Sequence, residues 1–150
     1  NHEHLLDPAI WRRFSYRLLI DLPAQDVRKS LVKKYLGNLL VEKELARVAT
    51  AAKTLSGSDI KELCESARRR LVLESSAQPS AYVDVLERIL IRRSNIDRVD
   101  TEKIIFWAKE NESAVYTHDV LSSMLSISKG SVTNILKRAR DEQQIEEEGL

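Results

Sequence analysis

The chain has little of what most function classes require. One cysteine, Cys64, cannot form an internal disulfide, and its apolar helical position marks it as a buried core thiol. Four glycines, three prolines and few aromatics in 150 residues are too little turn and strand material for a β-sandwich and favour exposed helices. No run of about eighteen apolar residues occurs, so no membrane span is expected. The polar start offers no signal peptide, and a soluble, cytoplasmic protein is expected. Charge of one sign is missing too. With 24 Lys and Arg against 23 Asp and Glu, the net charge of +1 makes no bulk electrostatic case for nucleic acid.

Two site types are also excluded by spacing. Gly37, Gly57, Gly130 and Gly149 do not fit G-x-x-x-x-G-K-[ST], the loop whose backbone N–H groups and Lys cradle phosphates. His2 and His4 form an H-x-H, but a metal needs three or four ligands and a second shell, so the pair reads as loop and no metal is expected. His118, beside Thr117, reads as a polar first-turn residue.

What is present is helical periodicity. Val27, Leu31 and Tyr35 predict a first helix from Ala24 that stops at Gly37. Leu45, Val48, Ala49 and Ala52 predict a second behind Glu42 and Glu44, which suit a helix N-terminus. A third has the strongest start signal. Ser56 and Asp59 are spaced as a capping box, and Ile60, Leu63, Cys64, Ala67 and Leu71 follow as one stripe. After Gln78-Pro79-Ser80, the residues Tyr82, Val85, Leu86, Ile89 and Leu90 predict a fourth, so residues 24–95 should bury their stripes as a four-helix bundle. Ahead of it, the apolar run SYRLLIDLP reads as a strand that has no partner here. The triplet Arg68 to Arg70 reads as a solvated face.

The opening NHEHLLDPAIWRRF, through Asn1, Leu6, Asp7, Pro8, Ala9, Arg12, Arg13 and Phe14, resembles a stretch of the AAA+ ATPase core. About forty residues on, Leu55, Ser56, Gly57, Ser58, Asp59, Ile60, Leu63 and Ala67 are similar to the motif that opens a helix of the family's lid. The resemblance implies that the chain enters mid-module. Residues 1–23 would end the nucleotide-binding core with its last helix and strand, and residues 24–95 would be the lid. It implies ATP as cofactor, with Mg held mostly by upstream residues, and a ring of copies, expected as a hexamer. Asn1 takes the place of the residue that orients water or touches the γ-phosphate. Arg12 and Arg13 take the place of fingers acting in trans on the next subunit's nucleotide, where a planar, always-charged guanidinium stabilises transition-state charge. Many members separate the pair by Pro-Gly; here the two are adjacent, which leaves open which one is the finger. Arg17 is a bystander. Gly57 and Ser58 would line the adenine pocket, a residue without Cβ at a helix start letting a flat base approach. Without its phosphate loop this segment is expected to be inactive alone.

Beyond residue 98 the pattern restarts. Thr101 opens a helix with Ile104, Ile105, Trp107 and Ala108; Thr117 opens one with Val120, Leu121, Met124 and Leu125; Ser128 opens one with Val132, Ile135, Leu136 and Ala139. Residues 99–150 thus predict a three-helix helix-turn-helix resembling winged modules. Its outward residues would be Lys129, Ser131, Thr133, Asn134, Lys137 and Arg138, with Asn134 suited to adenine and Lys129 and Arg138 to phosphate. Yet residues 100–150 hold six Lys and Arg against ten Asp and Glu, a net of −4, which opposes phosphate binding. Three readings stay open: the trans-acting and lid part of a ring ATPase with a client-recognising C-terminus, a DNA-binding regulatory module, or a helical adaptor.

Overall fold

A computed structural model describes Arg12, Arg13, Tyr16, Leu18 and the stretches 20–73 and 80–148, the last seven residues of these for their backbone alone. Asn1, His2 and His4 lie outside the described residues. The fold is mainly α, and among the described residues there are seven α-helices and no strand.

Helix α1, Gln25–Leu36, carries Asp26 in its first turn and Lys33 and Lys34 in its last, matching the helix dipole at both ends. Gly37 closes it at a φ of 58°, the left-handed region that a residue without Cβ enters freely. A 3₁₀ turn, Gly37–Leu39, leads to α2, Glu42–Ala51, where the Glu44 carboxylate accepts the Val41 N–H at 2.9 Å. Helix α3 is Gly57–Leu73 and α4 is Ala81–Ser94. Ser80 caps α4 by accepting the Val83 N–H, and Asn95 ends it at a φ of 55°.

Three further helices follow. Helix α5, Thr101–Glu112, begins where expected, but Asp100 is its cap, accepting the Lys103 N–H at 3.2 Å. Helix α6, His118–Leu125, is capped by Thr117 and closed by Ser126 at a φ of 56°. Helix α7, Lys129–Glu148, starts at Ser128, whose hydroxyl accepts the Ser131 N–H at 3.0 Å.

Helix α1 packs on α2 and α3, while α4 packs on α2 and α3 on one side and on α5 and α6 on the other. Helix α7 closes the C-terminal side against α5 and α6. The buried apolar residues from Val32 to Val132 form one cluster. Tyr116, fully buried, donates its hydroxyl to the Leu86 carbonyl at 3.1 Å and ties the segment before α6 to the middle of α4. Removing its proton in that apolar setting is costly, and burial raises the phenol above its ordinary range.

Two expectations change. The buried stripe of α1 is rotated from the expected one: Val32 and Leu36 are buried, Leu31 and Tyr35 are partly covered, and Val27 is 46% exposed. The cause is that α2 and α3 straddle the helix and set which face is covered. The strand expected in SYRLLIDLP is not formed by its described residues. Tyr16, Leu18 and Ile20 are 84–92% exposed, as befits an apolar segment with no second strand to complete its hydrogen bonds.

Candidate functional site

The start of α3 is the most organised of the expected sites. Ser56 Oγ accepts the Asp59 N–H at 3.1 Å, and the Asp59 carboxylate accepts both the Ser56 N–H at 3.0 Å and the Ser56 hydroxyl at 2.7 Å. The Ile60 N–H is taken by the Ser56 carbonyl at 3.0 Å. Of the first four N–H groups of α3, the remaining two belong to Gly57 and Ser58, and no described residue accepts from them. Ser58 is exposed, and Gly57 is half-buried. A Cβ on Gly57 would meet Leu31 Cδ1 at 3.6 Å, an ordinary contact that would fill the free surface beside α1.

Arg92, from the C-terminal turn of α4, pairs with the Asp59 carboxylate and reaches Glu62 at 3.6 Å. Hydrogen bonds from Ser56 hold Asp59 below the usual carboxylate range, and Arg92 adds to that effect. The box therefore stays ionised near neutrality and presents two N–H donors beside a fixed carboxylate.

Arg12 and Arg13 lie in a turn and are exposed. Among the described residues no hydrogen bond or ion pair joins them to Gly57 or Ser58. The triplet on α3 does not behave as one solvated face. Arg68 and Arg69 are exposed, with Arg69 donating to Ser66 at 3.0 Å, but Arg70 turns to the buried Asp84 at 2.7 Å.

On α7, Lys129, Thr133, Asn134, Lys137 and Arg138 are exposed and Ser131 is half-buried. Two of the cations meet carboxylates. Lys129 pairs with Asp119 at 2.6 Å, and Arg138 approaches Glu102 at 3.5 Å. The hydrogen bond from Lys129 holds Asp119 below its ordinary range. Thr133 donates back to the Lys129 carbonyl at 3.0 Å, which commits its hydroxyl proton within the helix and leaves the oxygen as an acceptor.

Two charged groups were not singled out by sequence. Asp84, with 3% of its side chain exposed, binds Arg70 and Arg88, each at 2.7 Å. Glu87, with 6% of its side chain exposed, meets Arg98 Nε at 2.6 Å in an ion pair, while its Oε1 has no hydrogen-bond partner among the described residues. Burial raises Glu87 above the usual carboxylate range, against the pull of Arg98. A second junction gathers around Glu112, which meets Lys53 at 2.6 Å and Arg93 at 3.3 Å. Arg93 also donates to the Ala51 carbonyl at 2.7 Å and lies over the Trp107 ring at 5.1 Å, joining the C-terminal ends of α2, α4 and α5. The available signal was that Asp84 and Glu87 interrupt the apolar run 81–90, in which only they and Arg88 are charged.

Cys64 is buried, and burial pushes its thiol up to about 12. Among the described residues there is no group of three His, Cys, Asp or Glu able to hold a metal. No described helix is long and apolar enough to cross a membrane.

No protein-family model matches the chain, and no solved structure matches it significantly. Curated relatives do. Spastin of Xenopus tropicalis is 32% identical over 124 residues, which cover 73% of this chain and 21% of the relative. Spastin of Bos taurus is 39% identical over 98 residues, covering 63% of this chain and 16% of the relative. Fidgetin-like protein 1 of Xenopus laevis is 27% identical over 123 residues, covering 73% and 19%. The chain spans about a fifth of the length of these relatives. Over most of its length, then, this helical chain is similar to a limited part of AAA ATPases of the spastin and fidgetin-like kind, which supports the expectation of an AAA+ C-terminal part.

Proposed function

We propose that this chain is the C-terminal part of an ATP-binding, ATP-hydrolysing AAA+ protein that works as a ring, expected as a hexamer. In this reading residues 1–23 end the nucleotide-binding core, residues 24–95 are the lid, and residues 99–150 are a helix-turn-helix that recognises a client. The supporting observation is the start of α3, where the Ser56–Asp59 box leaves the Gly57 and Ser58 N–H groups as donors at an accessible helix end. These donors fit the purine ring of ATP. Gly57 lets the base approach, Ser58 offers a donor at the rim, and Asp59 with Arg92 holds the turn in shape.

ATP supplies the phosphoanhydride to be cleaved, and Mg belongs mostly to residues upstream. The chain's own part in turnover is charge. Arg12 and Arg13, both exposed, are free to reach an adjoining copy, where a guanidinium stabilises transition-state charge by about 10³- to 10⁵-fold in rate. Asn1 is assigned the water-orienting position.

For the C-terminal helices we favour a protein client over DNA. Lys129 and Arg138 are engaged by carboxylates, and residues 100–150 carry a net −4, so duplex phosphates would meet repulsion.

One assay series on the complete protein tests the assignment. Ser58→Trp should weaken ATP binding at least about tenfold by filling the base site, a loss of roughly 1.4 kcal/mol. Arg12→Ala with Arg13→Ala should leave binding intact and abolish turnover. Unchanged affinity in the first variant, or normal turnover in the second, removes the corresponding residues from the site.

A further inference from the structure

Helix α7 carries its charge in two blocks. Lys129, Lys137, Arg138 and Arg140 all precede residue 141, and Asp141, Glu142, Glu146, Glu147 and Glu148 all follow residue 140. This order is the reverse of what stabilises a lone helix. The helix dipole favours acidic residues in the first turn and basic ones in the last, yet α7 has no acid in its first turn and no base in its last.

A twenty-residue helix is about 30 Å long. Its N-terminal part is anchored by Val132, which is buried, and by Ile135 and Leu136, which pack against the core. Beyond them Lys137, Arg138, Arg140 and Asp141 are exposed. The basic half already attracts carboxylates from elsewhere in the fold, since Asp119 and Glu102 meet Lys129 and Arg138 while staying largely exposed themselves. Lys137 and Arg140 are exposed and have no carboxylate partner among the described residues, so they are the cations left for an outside acid.

We infer that α7 is a self-complementary docking surface and that its occupant is α7 of a second copy, laid antiparallel. In that orientation each basic block faces the other copy's acidic block, as a two-fold interface requires when the same patch serves both partners. The antiparallel arrangement also sets the positive end of each helix dipole beside the negative end of the other, offsetting the unfavourable charge order of each. A parallel pair would place like charges together. Exposed ion pairs contribute little singly, so the association depends on the whole row and is sensitive to salt.

Sedimentation of the 150-residue chain without nucleotide tests this. The expected result is a monomer–dimer equilibrium whose dissociation constant rises by about tenfold or more as ionic strength goes from about 0.05 M to about 0.5 M, where screening falls below about 5 Å. Two charge-swapped chains extend the test, one with Lys137→Glu, Arg138→Glu and Arg140→Glu, the other with Glu146→Lys, Glu147→Lys and Glu148→Lys. Each alone should stay monomeric, and an equimolar mixture should pair again. Restoration on mixing also shows that both variants fold. A wild-type chain that remains monomeric at low salt overturns the inference, as does association that ignores salt or survives in each swapped chain alone. Salt-sensitive binding of duplex DNA by a monomeric wild-type chain would overturn it in favour of nucleic acid.

Discussion

Helix α4 buries nine of its fourteen residues among four neighbouring helices, whereas α7, six residues longer, contributes Val132 alone to the fully buried set of described side chains. Both helices space apolar residues at i, i+3 and i+4, so the stripe by itself does not set the depth of burial. The number of partners does. Helix α4 is flanked by α2 and α3 on one side and by α5 and α6 on the other, which covers even Asp84 and Glu87. Helix α7 packs on α5 and α6, and most of its described side chains are exposed.

The largest expected difference between the two helices comes from a matched pair of truncations. Leu86→Ala should cost about 2–5 kcal/mol of unfolding free energy, because Leu86 is fully buried and the vacated space is walled by several helices. Leu136→Ala, at a partly covered position, should cost less than about 2 kcal/mol, since water already reaches its edge. Urea denaturation of both variants gives the comparison, and equal losses would show that α7 is held as firmly as α4.

A smaller effect is expected from single hydroxyl groups. Tyr116→Phe removes the bond to the Leu86 carbonyl and should cost about 0.5–1.5 kcal/mol. Thr133→Ala, on the exposed face of α7, should stay within about 0.5 kcal/mol of the parent. Thermal melts resolve the two, and a neutral Tyr116→Phe would mean that the tie between α4 and the segment before α6 carries no net stability.

The smallest effect is one of pH. Burial raises Glu87 in the folded state, so the folded chain keeps this proton to higher pH than the unfolded chain does. Its contribution is fully present below the ordinary glutamate value of 4.5 and is lost as pH rises through the raised folded value. Glu87→Gln should remove that decline, so the variant gains on the parent as pH rises through this window. Stability curves that stay parallel from acid to neutral pH would place Glu87 in a more solvated setting than α4 provides.

The parts of the fold legible in sequence are those decided within one or two turns of chain. Ser56 with Asp59, Thr117 and Ser128 act where their spacing placed them, because a cap is satisfied by N–H groups two or three residues away. The stripes of α2, α3 and α4 are likewise the buried ones, with Leu71 near the end of α3 only partly covered. What sequence did not reveal depends on distant partners. The rotation of α1 toward Val32 follows from where α2 and α3 lie, and Arg70 leaves its two basic neighbours because Asp84 stands fourteen residues away on another helix. At the candidate site the Ser56–Asp59 turn was readable, but its brace, Arg92, comes from thirty-three residues on. The pairing of Lys129 with Asp119 and of Arg138 with Glu102 was hidden for the same reason.

Cys64 gives the molecule a built-in reporter. A thiol that burial pushes up to about 12 and that lies on the buried stripe of α3 is inert to alkylating agents at neutral pH for as long as the core stays shut. It is also the one sulfhydryl in the chain. Any label that attaches to it records an opening of the interior, and the labelling rate across temperature or denaturant measures how often that interior is breached.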